Sequence, residues 1–326
     1  MKRMMLIINP ISGTVDKRGL ADRIIAHMGE HGIRVDLACT EYAGHATELG
    51  ARAVHDGYDA VLACGGDGTV NEVARALCGT TVPLGIIPTG SGNGLARHLE
   101  VPIDPIAALP TIIAGHVDEC DYGTVNGQPF FCTFGIGFDA AVSDRFAQAR
   151  SRGMLTYLRS TIIEFMRYKP RRYTFTINGH TFSRQAFIVA GANASQYGNN
   201  AYIAPMASIR DGLLDLVIVH DGTLIDRTIM GMDMMTGTLG SNRQIEVHRC
   251  DRAIIECEDD GPAHLDGEPT SFGRRLEVVC HPGQLRILTP ESKSTFRPIL
   301  TPAKAALTDM LRPLNRIIAQ LAVNQD

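Results

Sequence analysis

The sequence predicts two domains: an α/β domain with a parallel sheet covered by helices on both faces, then an antiparallel β-sandwich. Strand-like and helix-like segments alternate over residues 4–87, which is typical of a parallel sheet. From Asp121 onward β-rich runs recur, and the dipeptides at 126–127 and 178–179 are both Asn-Gly, a strong hairpin signal. The predicted bounds are 1–120 and 121–290, with 291–326 as a C-terminal segment.

Composition places the chain among ordinary globular proteins. It has 326 residues, 44% of them hydrophobic, and a net charge of −4, which excludes the basic field of a nucleic-acid-binding protein. Its eight cysteines include no CxxC pair, which argues against a zinc site or a disulfide framework. No run approaches the roughly 20 apolar residues of a membrane span, and the apolar N-terminal run stops at Asn9-Pro10, which favours a strand over a signal peptide. We therefore expect a cytoplasmic protein.

The α/β domain is predicted to bring four loops to one crevice. Ligands of parallel sheets bind at the carboxyl ends of the strands, and the loops at 9–14, 40–45, 65–69 and 88–93 all leave such ends. The predicted strands are 4–8, 33–39, 60–64 and 82–87, and the predicted helices are 20–31, one running from within 40–46 to about 55, and 70–78.

The chain is organised around Gly65-Gly66-Asp67-Gly68-Thr69, which lies between an apolar strand and a helix. Glycines let the backbone approach a ligand without a Cβ clash, and the N–H groups of the turn and helix start suit a phosphate. Asp67 would repel a phosphate unless a cation or a proton-transfer task justified it. An ordinary Gly-Asp-Gly turn is the structural alternative.

A second glycine-rich turn, 88–94, faces the first in the predicted fold. Read as G-x-G-x-x-G from Gly90, it ends in Leu95, and from Gly92 it ends in Arg97. In neither case is the last position a glycine, as the motif requires, which excludes an ordinary NAD-binding fingerprint. No P-loop motif is present either. We interpret this turn as the other half of a phosphate clamp, and a plain loop between a strand and a helix is the structural alternative.

Two helical segments later in the chain have two interpretations each. The insertion at 139–169 joins apolar residues at helical spacing to a basic face, which indicates either a packed helix with solvated charges or a helix on an anionic bilayer. The amphipathic segment 303–323 is predicted to dock on the chain or to form a homodimer, with a kink at Pro313.

Two acidic turns stand out in the second domain. Asp211-Gly212-Leu213-Leu214-Asp215 is either a turn entering a strand or a site for a hard cation built from a carboxylate and backbone carbonyls. The other turn pairs Asp266 and Glu268 around Gly267, so the two acids could share a ligand or a proton. An exposed loop is the structural alternative.

Together these motifs resemble the diacylglycerol-kinase-like lipid kinases, the group that includes sphingosine and ceramide kinases and soluble bacterial diacylglycerol kinases. The Gly-Gly-Asp-Gly-Thr block with Asn71-Glu72 is the specific signal, and the other motifs are individually weak. The resemblance covers residues 4–290 in order: Asn9-Pro10, Ser12-Gly13, Thr40, 65–72, 90–93, Asp121, the Gly-Ile-Gly-Phe-Asp run at 135–139, 211–215 and 266–268.

The resemblance implies an NAD-kinase/diacylglycerol-kinase-like fold in which ATP and a lipid meet in the cleft between the domains, with Mg²⁺ as the metal. It implies a structural magnesium site at Asp211 with backbone oxygens of Ser208 and Leu213. It also implies a base at Asp266-Gly267-Glu268, as in bacterial members, or at Asp67, as in sphingosine kinases. The implied ATP-binding residues are Asn9, Pro10, Ser12, Gly13, Thr40, Gly66, Asp67, Gly68, Thr69, Asn71, Glu72, Gly90 and Ser91.

Substrate class stays open at this point. Soluble bacterial members often carry an acid where this chain has Gly94, whereas sphingosine kinases have a small residue there. The expected function is ATP-dependent phosphorylation of a lipid hydroxyl, diacylglycerol or sphingoid, by a cytoplasmic enzyme that is peripheral on the inner face of the membrane. The alternatives are NAD-kinase-like phosphorylation of a small molecule and a regulatory nucleotide-binding module without catalysis.

Overall fold

The computed structural model describes residues 1–10, 17–141, 168–198, 201–239 and 242–291. Several predicted features lie outside these ranges: Ser12 and Gly13 of the first loop, most of the 139–169 insertion, and the C-terminal helix at 303–323. Within the described ranges, no helix is long and apolar enough to cross a bilayer.

The first part of the chain forms the predicted parallel sheet with helices. Its strands are β1 (Arg3–Ile8), β2 (Arg34–Cys39), β3 (Ala60–Gly65) and β4 (Leu84–Pro88), and its helices are α1 (Lys17–Glu30), α2 (His45–His55), α3 (Asp67–Leu77), α4 (Gly94–His98) and α5 (Leu109–Ala114). The strand order is β2-β1-β3-β4, and each neighbouring pair is parallel.

Alternating residues of β1 pack on the two faces of this sheet. Met4, Leu6 and Ile8 belong to the apolar cluster that includes α1 and α5, whereas Met5 and Ile7 belong to the cluster that includes α2 and α3. All six residues of β3 are buried, as expected for a central strand covered on both sides. The sheet therefore holds the loops at its carboxyl edge on a rigid base.

The second part is the predicted antiparallel β-structure. Its elements are β5 (Val117–Val125), β6 (Gln128–Phe130), β7 (Thr133–Gly137), β8 (Arg171–Ile177), β9 (His180–Ala192), β10 (Leu214–His220), α6 (Leu224–Thr236), β11 (Ile245–Cys250), β12 (Arg252–Cys257), β13 (Ala263–Leu265), β14 (Glu268–Thr270) and β15 (Arg275–Leu288). Both predicted hairpins are confirmed: β5 pairs with β6 and β8 with β9, and Asn126 and Asn178 have φ of 48° and 50°, the left-handed conformation of a two-residue turn.

Strand β15 connects the two parts of the sheet. It pairs antiparallel with β5 and β12 and meets β4 in parallel at Leu84 and Ile287. Its register with β5 shifts between His281 and Leu285. The predicted domain boundary after residue 120 lies inside β5.

Helix α6 is absent from the sequence-based prediction. Its N-terminus has a capping box, since the Thr223 side chain accepts the Asp226 N–H and the Asp226 side chain accepts the Thr223 N–H. It ends at Gly237, whose φ is 68°, as is usual after a helix. The sequence carries both signals, but the β-rich pattern around them favours a strand domain without helices.

Candidate active site

The two glycine-rich turns at the carboxyl edge of the parallel sheet touch each other. A Cβ atom on Gly90 would lie 2.5 Å from the Cα of Gly66, and one on Gly66 would lie 3.3 Å from the Cα of Gly90. The two turns can approach this closely only because neither residue has a side chain. The structure thus brings together the two halves of the predicted clamp.

Asp67 connects these two turns. It is the first residue of α3, and its carboxylate accepts the N–H of Asn93 at 2.8 Å and the N–H of Gly94 at 2.7 Å. A Cβ on Gly92 would lie 2.6 Å from the same carboxylate. Burial raises the pKa of Asp67, while the two N–H donors lower it. Each oxygen accepts one of these hydrogen bonds, and a carboxylate oxygen can accept more than one.

The predicted acidic turn at 266–268 is the tight turn of the β13–β14 hairpin. Asp266 and Gly267 have φ of 50° and 84°, as a two-residue turn requires. The Asp266 carboxylate accepts the N–H groups of Phe131, Cys132 and Thr133 at 2.9, 2.7 and 2.9 Å. Burial nevertheless raises the pKa of Asp266 to about 6, and the charge of Asp67 adds to the effect. Asp266 therefore anchors the turn.

Glu268 extends from this turn toward the first part of the chain. A Cβ on Gly68 would lie 3.1 Å from Glu268 Oε1, and Arg75 Nη2 lies 3.9 Å from Glu268 Oε2. The Glu268 side chain is 57% exposed. The three predicted catalytic acids, Asp67, Asp266 and Glu268, therefore lie close to one another.

A buried polar chain that sequence analysis missed supports the 266–268 turn. The Gly267 N–H points at His264 Nδ1 at 3.3 Å, and His264 Nε2 lies 3.1 Å from Asp139 Oδ2. Since Nδ1 accepts, Nε2 carries the proton and donates to Asp139. The Tyr197 hydroxyl donates to the same oxygen at 2.8 Å. Asp139 ends the motif at 135–139 that supports the family resemblance.

Glu72, which was predicted to bind ATP, holds a neighbouring loop. Its carboxylate accepts the N–H of Gly44 at 2.9 Å and the N–H of Ala46 at 3.0 Å, at the N-terminus of α2. Thr40 begins that loop, and its N–H donates to Ile8 at 2.9 Å. The loop thus lies beside the end of β1 and the start of the 9–14 loop.

The other predicted ATP-binding residues line the same edge of the sheet. The Asn71 side chain is buried, and its Nδ2 has no hydrogen-bond partner among the described residues. Thr69 is buried against Gly65. Ser91 and Pro10 are exposed, and Gly68, Gly90 and Asn9 are half-buried.

The predicted metal residues form a different kind of cluster. Asp211 Oδ2 pairs with the Arg249 guanidinium, and Asp211 Oδ1 accepts the Leu213 N–H at 3.1 Å. The hydroxyl of Ser208 accepts the Arg210 N–H at 3.3 Å. Across the described ranges, no group of three or more His, Cys, Asp or Glu residues is placed to hold a metal. A structural Mg²⁺ does not fit this set, because a cationic side chain already lies on its carboxylate.

Comparison with known proteins decides the family. Residues 3–125 match the family described as "Diacylglycerol kinase catalytic domain", and residues 133–289 match "YegS C-terminal NAD kinase beta sandwich-like domain". A Xanthomonas oryzae pv. oryzae protein named "Probable lipid kinase YegS-like" is 32% identical over 284 residues, 82% of this chain and 90% of its own length. The chain belongs to the diacylglycerol-kinase-like lipid kinase family.

Other relatives of this lipid kinase family member agree in length and fold. A protein of Mycobacterium tuberculosis named "Diacylglycerol kinase" is 29% identical over 298 residues, covering 88% of this chain and 95% of its own. A crystal structure of a diacylglycerol kinase from Bacillus anthracis str. Sterne superposes with a TM-score of 0.70 at 20% identity, covering 89% of this chain and 97% of that chain. The predicted fold class is confirmed.

Proposed function

We propose that this lipid kinase uses ATP and transfers the γ-phosphoryl group to a hydroxyl of a diacylglycerol or sphingoid lipid. The observation that carries the proposal is the approach of Glu268 to Gly68: an acid of the β-domain lies directly over the glycine turn that suits phosphates. A phosphoryl donor on the turn and an acceptor hydroxyl beside Glu268 would be neighbours. Phosphoryl transfer depends mainly on such positioning and on charge neutralisation.

The glycine turns supply the nucleotide-binding half of this proposal. Backbone N–H groups of the two turns would hold the phosphates, except that of Gly90, which donates to Asn93 Oδ1 at 3.1 Å. The buried Nδ2 of Asn71, which has no hydrogen-bond partner among the described residues, is a further donor at the same edge. The Asp67 carboxylate keeps lone pairs for a hard cation, so it fits a magnesium ion bound together with ATP. When bound, such an ion would neutralise charge on the transferred phosphoryl group.

Glu268 is the proposed proton acceptor for the lipid hydroxyl. A general base must come within about 3 Å of the proton that it removes, and the exposed Glu268 side chain can move to a bound substrate. The Asp266 carboxylate is held by three N–H groups, and we assign it the role of positioning the turn. Asp67 is the remaining alternative for the base, in agreement with the sphingosine kinase assignment.

The enzyme has to reach its lipid at a membrane surface, so we also propose that it binds peripherally to the cytoplasmic face of the membrane. The basic insertion at 139–169 is the segment with suitable chemistry, and most of it lies outside the described residues. Replacing Arg152, Arg159 and Arg167 with serine should weaken sedimentation with anionic vesicles and leave activity on a short-chain soluble lipid unchanged. Unchanged sedimentation would assign the segment to packing.

One labelling experiment separates the three functions considered. Protein and ATP labelled in the γ-phosphate are incubated with dioctanoylglycerol, with sphingosine, with a total lipid extract and, in parallel, with NAD. We expect label in the lipid fraction, and none above background with the Asp67→Asn variant. Label in NADP would favour the NAD-kinase-like alternative, and absence of label from every acceptor would favour the regulatory module.

A further inference from the structure

We propose that Arg249 supplies the positive charge that stabilises the 211–215 turn, so that this chain needs no divalent cation there. Asp215 on β10 and Arg249 on β11 are directly opposite each other in the antiparallel ladder. Arg249 Nε donates to Asp215 Oδ1 at 3.2 Å, and another nitrogen of the same guanidinium pairs with Asp211. One side chain thus bridges both acids of the turn.

The surroundings of the turn explain why a positive charge is needed. Asp121 and Asp215 are 2% and 5% exposed, and Asp211 adds a third carboxylate to the cluster. Asp121 is satisfied by the N–H groups of Gly212 and Gly283, both at 2.7 Å. Within the part of the chain that the structure describes, Asp215 has no such pair of backbone donors, and a buried carboxylate without compensation is unfavourable. Arg249 provides the compensating charge.

A cation bound to Asp211 would meet this guanidinium. The Leu213 N–H takes one Asp211 oxygen and the arginine faces the other. Mg²⁺ requires an almost ideal octahedral set of oxygen ligands, whereas this carboxylate is already shared between two donors, one of them cationic. The arginine and the ion would therefore compete for the same carboxylate.

The stabilised turn lies at the connection between the two parts of the fold. The Asp121 N–H, on β5, donates to Ile209 at 2.7 Å, while the Asp121 carboxylate holds Gly212 and the β15 bulge at Gly283. Loss of the positive charge should therefore loosen the joint between the parallel sheet and the β-domain. Its effect is measurable as stability, independently of any kinase assay.

Thermal unfolding of the nucleotide-free protein tests the proposal. Wild type, Arg249→Gln, Arg249→Lys and Arg252→Gln are melted in EDTA and in millimolar MgCl₂. The matched control removes an arginine that pairs with Glu277 at an exposed position. We expect wild type to melt within about 1 °C in the two buffers, Arg249→Gln to melt at least about 4 °C lower, and Arg252→Gln to change by less than half as much. Arg249→Lys should lie between wild type and Arg249→Gln.

Two results would overturn the proposal. One is a wild-type melting temperature that falls in EDTA by about 4 °C or more and recovers with MgCl₂. The other is an Arg249→Gln variant that melts like the Arg252→Gln control. If Arg249→Gln is insoluble, MgCl₂ is titrated into nucleotide-free Asp67→Asn protein instead. This variant lacks the Asp67 carboxylate, so Mg²⁺ binding at that position does not contribute to the signal. Stoichiometric Mg²⁺ binding would contradict the proposal, and no measurable binding supports it.

Discussion

Replacing Asp266 with asparagine should remove a pH dependence from the stability of the protein. Burial raises the pKa of Asp266 from 3.8 to about 6, a difference worth about 3 kcal/mol between the two protonation states. From about pH 4 to pH 6 the folded chain binds this proton and the unfolded chain does not. The contribution to stability is therefore full below about pH 4 and is lost as the pH rises through about 6.

Urea unfolding between about pH 4.5 and 7.5 measures the effect. Asparagine does not titrate, so the free energy of unfolding of wild type should gain about 2 kcal/mol relative to the variant as the pH falls over this interval. A pH-independent offset is expected as well, because the asparagine Nδ2 would face the N–H of Phe131. An unsatisfied or opposed buried donor costs about 1–3 kcal/mol.

Glu268→Gln is the matched control for this experiment, since it changes an exposed acid of the same turn and leaves Asp266 in place. Its unfolding free energy should follow the wild-type pH profile. A difference between wild type and Asp266→Asn that stays constant from pH 7.5 to 4.5 would refute the reasoning, because the carboxyl would then be ionised in the folded state over the whole interval.

Three further predictions concern turnover. Asp67→Asn should reduce kcat several hundred-fold or more, as measured by steady-state kinetics. Its melting temperature should change modestly, because an amide cannot accept the N–H groups of both Asn93 and Gly94. Glu268→Gln should lower kcat at least about a hundred-fold at unchanged melting temperature. His264→Phe should lower kcat about tenfold or more at a constant KM for ATP, and His264→Asn, which can still accept the Gly267 N–H, should retain more activity.

The parallel sheet and the two Asn-Gly hairpins were predictable because their signals are local. A strand–helix alternation, or an asparagine before a glycine, has the same meaning wherever the chain folds. The pairing of Asp139 with His264 was not predictable in this way, because the two residues meet through the pairing of β7 with β13. Arg249 likewise reaches Asp215 only through the register of β10 and β11.

Prediction of the site residues was limited for a related reason. Sequence analysis recognised Asp67 in the first glycine turn, Glu72 shortly after it and Asp266 in an acidic turn of the second domain, and assigned them to the nucleotide or the proton. In the folded chain each carboxylate accepts N–H groups from a different loop. A single sequence shows that an acid is present, but the choice between a ligand and a loop contact depends on which N–H groups the fold brings to it.

This use of acids as loop contacts bears on the identity of the base. A carboxylate that accepts several fixed N–H groups is held in place, and the burial that raises the pKa of Asp266 also limits the approach of a lipid hydroxyl. Glu268 differs, because its side chain is 57% exposed and lies over Gly68. The arrangement favours separate roles for these residues: Asp266 and His264 position the 266–268 turn, and Glu268 accepts the proton of the lipid hydroxyl. A Glu268→Asp variant, which keeps the charge and withdraws it by one methylene, should then lose kcat while keeping the stability of wild type.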